Sequence, residues 1–292
     1  MKEKPKIRVI VSIDGGGIRG LIPLTILDYF DKEGRKNKTS TNVLNQIDFA
    51  AGTSTGAIIS AGLIAKKNNK HLFTPEHILK IYAEFGPLLF NTSIADSPKG
   101  ENKLTTILER NFQHLSLNDL STHFAFVSYD TISQTPFVFG RNLSQLKDVS
   151  LGKALSACGA VPKYFPPVKL YGKELVDGIK TAKNPSEIAL EHAKTHFPDD
   201  VLLLLSFGTG QLKGGYYDAI EKEVDEVDQR LSEKAEKDKN LIYYRFQPDI
   251  IQASQDMSDT RLENIKNLQQ DALNYIESNK NKLNNLFQEW NS

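Results

Sequence analysis

The chain has 292 residues, 39% of them hydrophobic and 25% charged, a balance that excludes a disordered or fibrous chain and suits one or two soluble globular domains. Lys and Arg total 36 and Asp and Glu total 36, so no global positive field recommends a nucleic-acid polymer as partner. Cys158 is the only cysteine, which excludes an internal disulfide and fits a reducing, cytoplasmic setting.

The first fourteen residues, MKEKPKIRVIVSID, lack the apolar stretch and cleavage site of a signal peptide. Arg8 to Asp14 reads as a short strand ending at a glycine cluster, and Leu21 to Phe30 as a helix that tolerates Pro23 near its first turn. Gln46 to Ala51 is a second strand stopping at Gly52, followed by a largely buried helix over Ala57 to Lys66. Phe124 to Asp130 and Thr135 to Phe139 form an expected hairpin around Ile132 to Gln134, and a helix is expected over Pro185 to Thr195. Val201 to Phe207 is so continuously apolar that it belongs at the centre of a sheet, covered on both faces. Strands alternating with helices predict a mostly parallel sheet in a three-layer α/β domain over residues 1–216.

From residue 217 the composition turns polar and helical, predicting a C-terminal extension over 217–292 that packs on the same domain. Leu262, Ile265, Leu268, Ala272, Ile276, Leu283, Leu286 and Trp290 make an apolar stripe with a gap near Asn279, hence one long helix or two shorter ones. Its polar face mixes acids and bases, unlike the basic face of a membrane-surface helix. No run of 18 apolar residues predicts a membrane span.

Three short stretches carry chemistry. Gly52-Thr53-Ser54-Thr55-Gly56 is a G-x-S-x-G sequence between an expected strand and an expected helix, the setting of a nucleophile elbow. Such a turn exposes the Ser54 hydroxyl and sets the Thr55 N–H at a helix start, where negative charge is favoured. Asp14-Gly15-Gly16-Gly17-Ile18-Arg19-Gly20 also joins strand to helix. Its consecutive glycines let backbone N–H groups converge on an anion, as an oxyanion hole does, with Arg19 steadying the loop or a nearby anionic head group. Gly15, Gly17 and Gly20 equally satisfy the dinucleotide fingerprint G-x-G-x-x-G, although Asp48 lies too early to hold a ribose at the end of the second strand. Leu175-Val176-Asp177-Gly178 approaches an aspartate that, alone, is an ordinary turn residue.

With ALSACGAVPKYFPP (154–167), Asn184-Pro185 and LSFGTG (205–210), these stretches make the chain resemble the patatin-like phospholipases over about residues 8 to 210. The resemblance implies a three-layer α/β/α sandwich and a Ser–Asp dyad without histidine. It makes Ser54 the nucleophile and Asp177 the base, the amides of Gly15, Gly16 and Gly17 the oxyanion hole, and Arg19 its neighbour. It implies a phospholipid or other acyl-ester lipid as substrate, peripheral contact with membranes, and no cofactor or metal. The family usually has a small residue after Asp-Gly, where this chain has Ile179.

Two alternatives stay open on the residues alone. Ser54, Asp177 and either His192 or His196 satisfy the chain order of a Ser-Asp-His esterase. A chain of this kind could also bind lipid without turning it over. Phe85 to Phe90 and Tyr164 to Val168 are apolar segments, punctuated by glycine or proline, that would flank an acyl groove or simply fill core.

Overall fold

The structure is a computed structural model and describes residues 4–36, 43–90, 102–140, 146, 148–212 and 219–290. Its sheet is built around β1 (Ile7–Ile13), which pairs in parallel with β2 (Ile47–Thr53) on one side and β9 (Val201–Phe207) on the other. Alternation along β1 explains the layering. Val9, Val11 and Ile13 face one core cluster and Ile10 faces a second, so both faces are dry and nearly every position is apolar. The full order is β11-β9-β1-β2-β5-β8-β7, with β5 (His123–Asp130) parallel to β2 and β11 (Leu241–Phe246) parallel to β9. The remaining members run against their neighbours: β6 (Thr135–Gly140) and β8 (Lys173–Asp177) pair antiparallel with β5, and β7 (Val168–Leu170) with β8.

Helices cover both faces. The larger core receives α1 (Leu21–Lys36), α2 (Thr55–Ile64) and α5 (Leu151–Cys158), flanked by α3 (Pro75–Phe90) and α4 (Lys103–Asn111). The smaller core is closed by Ala189, Leu190 and Ala193 of α6 (Ser186–His196) and by Val227 and Leu231 of α7 (Ala219–Lys237). The chain is thus a mixed α/β sandwich with helices on either side of a mostly parallel sheet, as the alternation of elements predicted. Two two-stranded ribbons complete it: β3 (Lys66–Lys67) with β4 (Lys70–His71), and β10 (Gln211–Leu212) with β12 (Asp249–Ile250).

The C-terminal stripe resolves into two helices, α8 (Leu262–Ser278) and α9 (Lys280–Trp290), with Asn279 at the break. Ile265, Leu268, Ala272 and Ile276 of α8, with Leu283 and Leu286 of α9, join the larger core. Residues 217–292 are not purely helical, however. Leu241-Ile242-Tyr243-Tyr244-Arg245-Phe246 becomes the edge strand β11, a β-branched and aromatic run whose charged flanks dominate the local composition. Phe85 to Phe90 is the end of the 16-residue helix α3, with Pro87 inside its last turn. Among the described residues no helix is long and apolar enough to cross a membrane.

Candidate active site

The loops after β1, β2 and β9 all open at the C-terminal end of the parallel strands, where crevices form in open α/β sheets. At the end of β2 the chain must reverse into α2 within one residue. Ser54 makes that reversal at φ 54°, ψ −125°, a left-handed φ that side chains seldom adopt. The flanking glycines are steric necessities. A Cβ on Gly52 would lie 2.2 Å from the Gly56 carbonyl, and one on Gly56 would lie 2.0 Å from the carbonyl oxygen of Ile13. Gly56 therefore lets α2 begin directly against β1.

The partner carboxylate arrives by a different route. β5 serves as a template read from both directions along one edge. β2 runs up it and ends with Thr53 opposite Val127; β8 runs down it and ends with Asp177 opposite Ser128. Two strands from distant parts of the chain thus terminate head to head on adjacent β5 residues, about 3.3 Å apart along the strand. Asp177 is 2% exposed and Ser54 6%. Asp177 Oδ1 accepts the Ile179 N–H at 2.8 Å. The Ser54 hydroxyl is the one side chain that stabilises the carboxylate, yet Oδ2 is buried without a hydrogen bond of ordinary geometry. Burial pushes the Asp177 carboxyl up to about 6, against the pull of Ser54 and the Ile179 amide. Ile179 contributes through its backbone; size is limiting at Gly178, where a Cβ would lie 2.4 Å from the Val127 carbonyl oxygen.

Residues 182–186 stitch the three motifs together. Thr53 Oγ1 donates to the Ala182 carbonyl at 2.7 Å, the Gly15 N–H donates to the Lys183 carbonyl at 3.0 Å, and Ser186 Oγ shares hydrogen bonds with the hydroxyls of Ser12 and Ser206. This corrects one expectation: the Gly15 amide is spent on Lys183 and is not free for an anion. Among the described residues the amides of Gly16, Gly17 and Thr55 make no hydrogen bond, as the first positions of helical turns leave them. Of the two roles open to Arg19, the geometry favours steadying the loop. Its guanidinium, 2% exposed, turns inward to Glu221 and the Gln255 carbonyl, both at 3.5 Å, and Glu221 also takes the Lys183 ammonium. Arg19 therefore braces the loop and is not presented to a head group.

Sequence reasoning gave no role to Arg245, on β11. Its guanidinium makes a fork with both oxygens of Asp14 (2.9 and 2.6 Å) and bonds Ser206 Oγ at 2.8 Å, with Asp14 fully buried. Burial works against the Arg245 charge, but the adjacent Asp14 outweighs it and holds the group above its ordinary range. This pair anchors the start of the glycine loop to the sheet edge. Arg245→Met leaves the Asp14 charge uncompensated, so urea denaturation is expected to show a loss of about 3–5 kcal/mol, largely recovered in Arg245→Met/Asp14→Asn.

The alternatives lose their geometry. His196 stacks on His123 with ring centroids 3.9 Å apart, and His123 starts β5, about 16 Å along the strand from Ser128. His192 sits one turn earlier on α6, and no histidine lines the cleft that holds Ser54. The dinucleotide reading fails as well. The Ile18 N–H is taken by the Met257 carbonyl at 2.9 Å, and Asp48 bonds Arg8 and the Val9 amide at the opposite end of the sheet. Among the described residues no group of three or more His, Cys, Asp or Glu side chains is placed to hold a metal ion.

Ser54 stands in the wall of an apolar cleft enclosing about 940 Å³, its open mouth included. The cleft runs between α2, α3 and α4, past Ile58, Phe85, Leu89, Leu108 and Phe165, and among the described residues no charged side chain lines it. The two apolar segments singled out in the sequence both reach it; Tyr164 stands just behind, its ring edge-on to Phe90 at 5.3 Å. Tyr82 fixes the elbow from the cleft side, donating to the Thr55 carbonyl at 3.2 Å and meeting the Thr55 hydroxyl.

A serine on a strained strand–helix turn, near a buried carboxyl at the edge of an apolar cleft, provides the residue types that nucleophilic acyl chemistry requires, on an α/β sandwich. The model of the patatin-like phospholipase family matches residues 11–190, and the chain belongs to that family. Patatin-like protein 2 from Oryza sativa subsp. indica is 29% identical over 221 residues, 66% of this chain and 55% of that protein. Patatin-1-Kuras 2 from Solanum tuberosum is 30% identical over 233 residues, 69% of this chain and 62% of that protein. The chain therefore spans little more than half the length of these curated relatives. Among solved structures, VipD from Legionella pneumophila aligns loosely, with a TM-score of 0.41 at 12% identity over 94% of this chain and 67% of that one.

Proposed function

We propose that this chain is a lipid acyl hydrolase in which Ser54 attacks a carboxylic ester of a phospholipid or related lipid and Asp177 is its base. The observation that carries this reading is the buried Asp177 carboxyl beside the Ser54 hydroxyl at the wall of an apolar cleft. A solvent-exposed carboxylate is a poor base at neutral pH; desolvation brings this one near the working range. Asp177 accepts the Ser54 proton as the oxygen adds to the ester carbonyl. The resulting oxyanion is held by amides of Gly16, Gly17 and Thr55 at the positive ends of two helical turns. Asp177 then protonates the departing alkoxide. Water, deprotonated by the same carboxylate, releases the fatty acid and returns the proton to Ser54.

The test is mass spectrometry of products from mixed phospholipid vesicles, comparing the native chain, Ser54→Ala and His192→Ala/His196→Ala. Free fatty acid and lysolipid are expected from the native chain and the double-histidine variant, and none above background from Ser54→Ala. Absence of product from the native chain, or product from Ser54→Ala at the native rate, would sink the proposal.

A further inference from the structure

Beyond the cleft, the same end of the sheet carries two hairpin tips that the fold itself does not need in their present form. β5 continues three residues past the level of Thr53 before turning at residues 131–134, and β8 descends from that height to Asp177. The two tips are stitched side by side: the Thr131 N–H donates to the Glu174 carbonyl at 2.8 Å and the Glu174 N–H to Asp130 Oδ1 at 3.3 Å. They stand above the Ser54–Asp177 pair by several residues of strand, on the order of 10–20 Å.

Each tip presents a large apolar side chain to solvent. Ile132 is 66% exposed and Tyr171 is 62% exposed. Tyr171 and Gly172 form a two-residue turn between the paired Leu170 and Lys173, at φ 48° and 74°. Both central residues of such a turn need positive φ, and Asn-Gly is its preferred sequence. Tyrosine there is unfavourable by about 1 kcal/mol of backbone strain and is not repaid by burial. Beside the tips, Lys169 faces Glu174 across the β7–β8 pair, Lys173 pairs with Asp130, and the exposed Lys180 lies over the Tyr129 ring at 4.7 Å, so three lysines meet two carboxylates at this edge of a chain whose net charge is zero. An exposed aromatic, an exposed aliphatic and a lysine collar suit the boundary between head groups and acyl chains.

We infer that the Ile132 and Tyr171 tips are the membrane-docking element of this protein, seating it on an anionic lipid surface with the Ser54 end of the sheet facing the bilayer. The inference rests on the hydrolase reading for its purpose, but its test does not. Vesicle co-sedimentation is measured in the Ser54→Ala background, so binding is read without turnover. Phosphatidylcholine vesicles are compared with vesicles containing about 30% phosphatidylglycerol, whose charge lysines sense at roughly 1 kcal/mol each. Ser54→Ala is expected to partition onto the anionic vesicles. Adding Tyr171→Asn and Ile132→Ser is expected to weaken that partitioning at least about tenfold, since both buried apolar groups are lost. Adding Lys169→Gln and Lys180→Gln instead is expected to remove most of the preference for anionic lipid. Asn suits the turn, so melting of the Tyr171→Asn/Ile132→Ser chain should match or exceed the native, and hydrolysis of a soluble short-chain ester by the otherwise native chain should be unchanged. Unaltered partitioning of the tip variant overturns the inference, as does failure of Ser54→Ala to bind either vesicle. Ester hydrolysis indifferent to Ser54→Ala would instead strike at the hydrolase reading and leave the docking result standing.

Discussion

Asp177→Asn is expected to abolish hydrolysis and, at neutral pH, to make the protein more stable. The loss follows because an amide cannot take the Ser54 proton; removing a member of a catalytic unit costs at least about 10³-fold in rate. The gain follows from burial. The Asp177 carboxyl is pushed from 3.8 up to about 6 chiefly by desolvation, so the folded chain binds this proton more tightly than the unfolded chain does. The stability tied to that proton is complete below pH 3.8 and lost as pH rises through about 6. At about 1.4 kcal/mol per pH unit, the carboxylate destabilises the fold above pH 7 by on the order of 3 kcal/mol. Asparagine retains an oxygen for the Ile179 amide and carries no charge to desolvate. Thermal melting of the two proteins at pH 8 and at pH 4 checks this: the variant should melt higher at pH 8, and the difference should close at pH 4. A native chain as stable at pH 8 as Asp177→Asn would contradict the burial argument. Activity of the native chain should fall along an acid limb centred near pH 6, since only the ionised carboxyl accepts a proton.

Ser54 separates chemistry from strain in a second pair of variants. Ser54→Ala and Ser54→Gly both remove the hydroxyl proposed as nucleophile, and each should lower hydrolysis by at least about 10³-fold. They should differ in stability. Alanine keeps a Cβ at φ 54° and so keeps the strain of the elbow, whereas glycine adopts that backbone freely. Ser54→Gly should therefore be more stable than Ser54→Ala by about 1 kcal/mol, less the extra entropy of a glycine in the unfolded chain. Equal stability of the two would mean the turn is not strained as its dihedrals suggest.

Much of the architecture was legible because periodicity and punctuation agreed. Arg8 to Asp14, Gln46 to Ala51 and Val201 to Phe207 became β1, β2 and β9 with small shifts at their ends, and the gap at Asn279 became a real break. Local composition failed where a segment was short and its neighbours were charged, as at β11, and it gave no sign that Gly86 and Pro87 sit inside the end of α3. Gly86 is there for packing: a Cβ would lie 2.8 Å from Ile18 Cδ1, so the helix comes right down on the glycine loop. At the site, Ser54 was readable because G-x-S-x-G is a local steric pattern. Asp177 was not readable from its own surroundings, because its significance depends on pairing with Ser128 in another strand. Arg245 was invisible for the same reason: it meets Asp14 across 231 residues of sequence. The use of the Gly15 amide by Lys183 depends on a loop closure that no spacing rule encodes.

Because one edge of β5 fixes where β2 and β8 stop, the 68 residues between Ser54 and the start of β5 are free of the task of bringing Ser54 and Asp177 together. They include α3 and α4, the helices that wall the cleft. On the hydrolase reading, insertions or deletions there would lengthen, widen or reshape the acyl chamber while Ser54 and Asp177 keep their spacing. A single residue inserted between Val127 and Ser128 would do the reverse, sparing the chamber and turning the aspartate to the wrong side of the sheet. Selectivity and reactivity are thereby placed under separate genetic control.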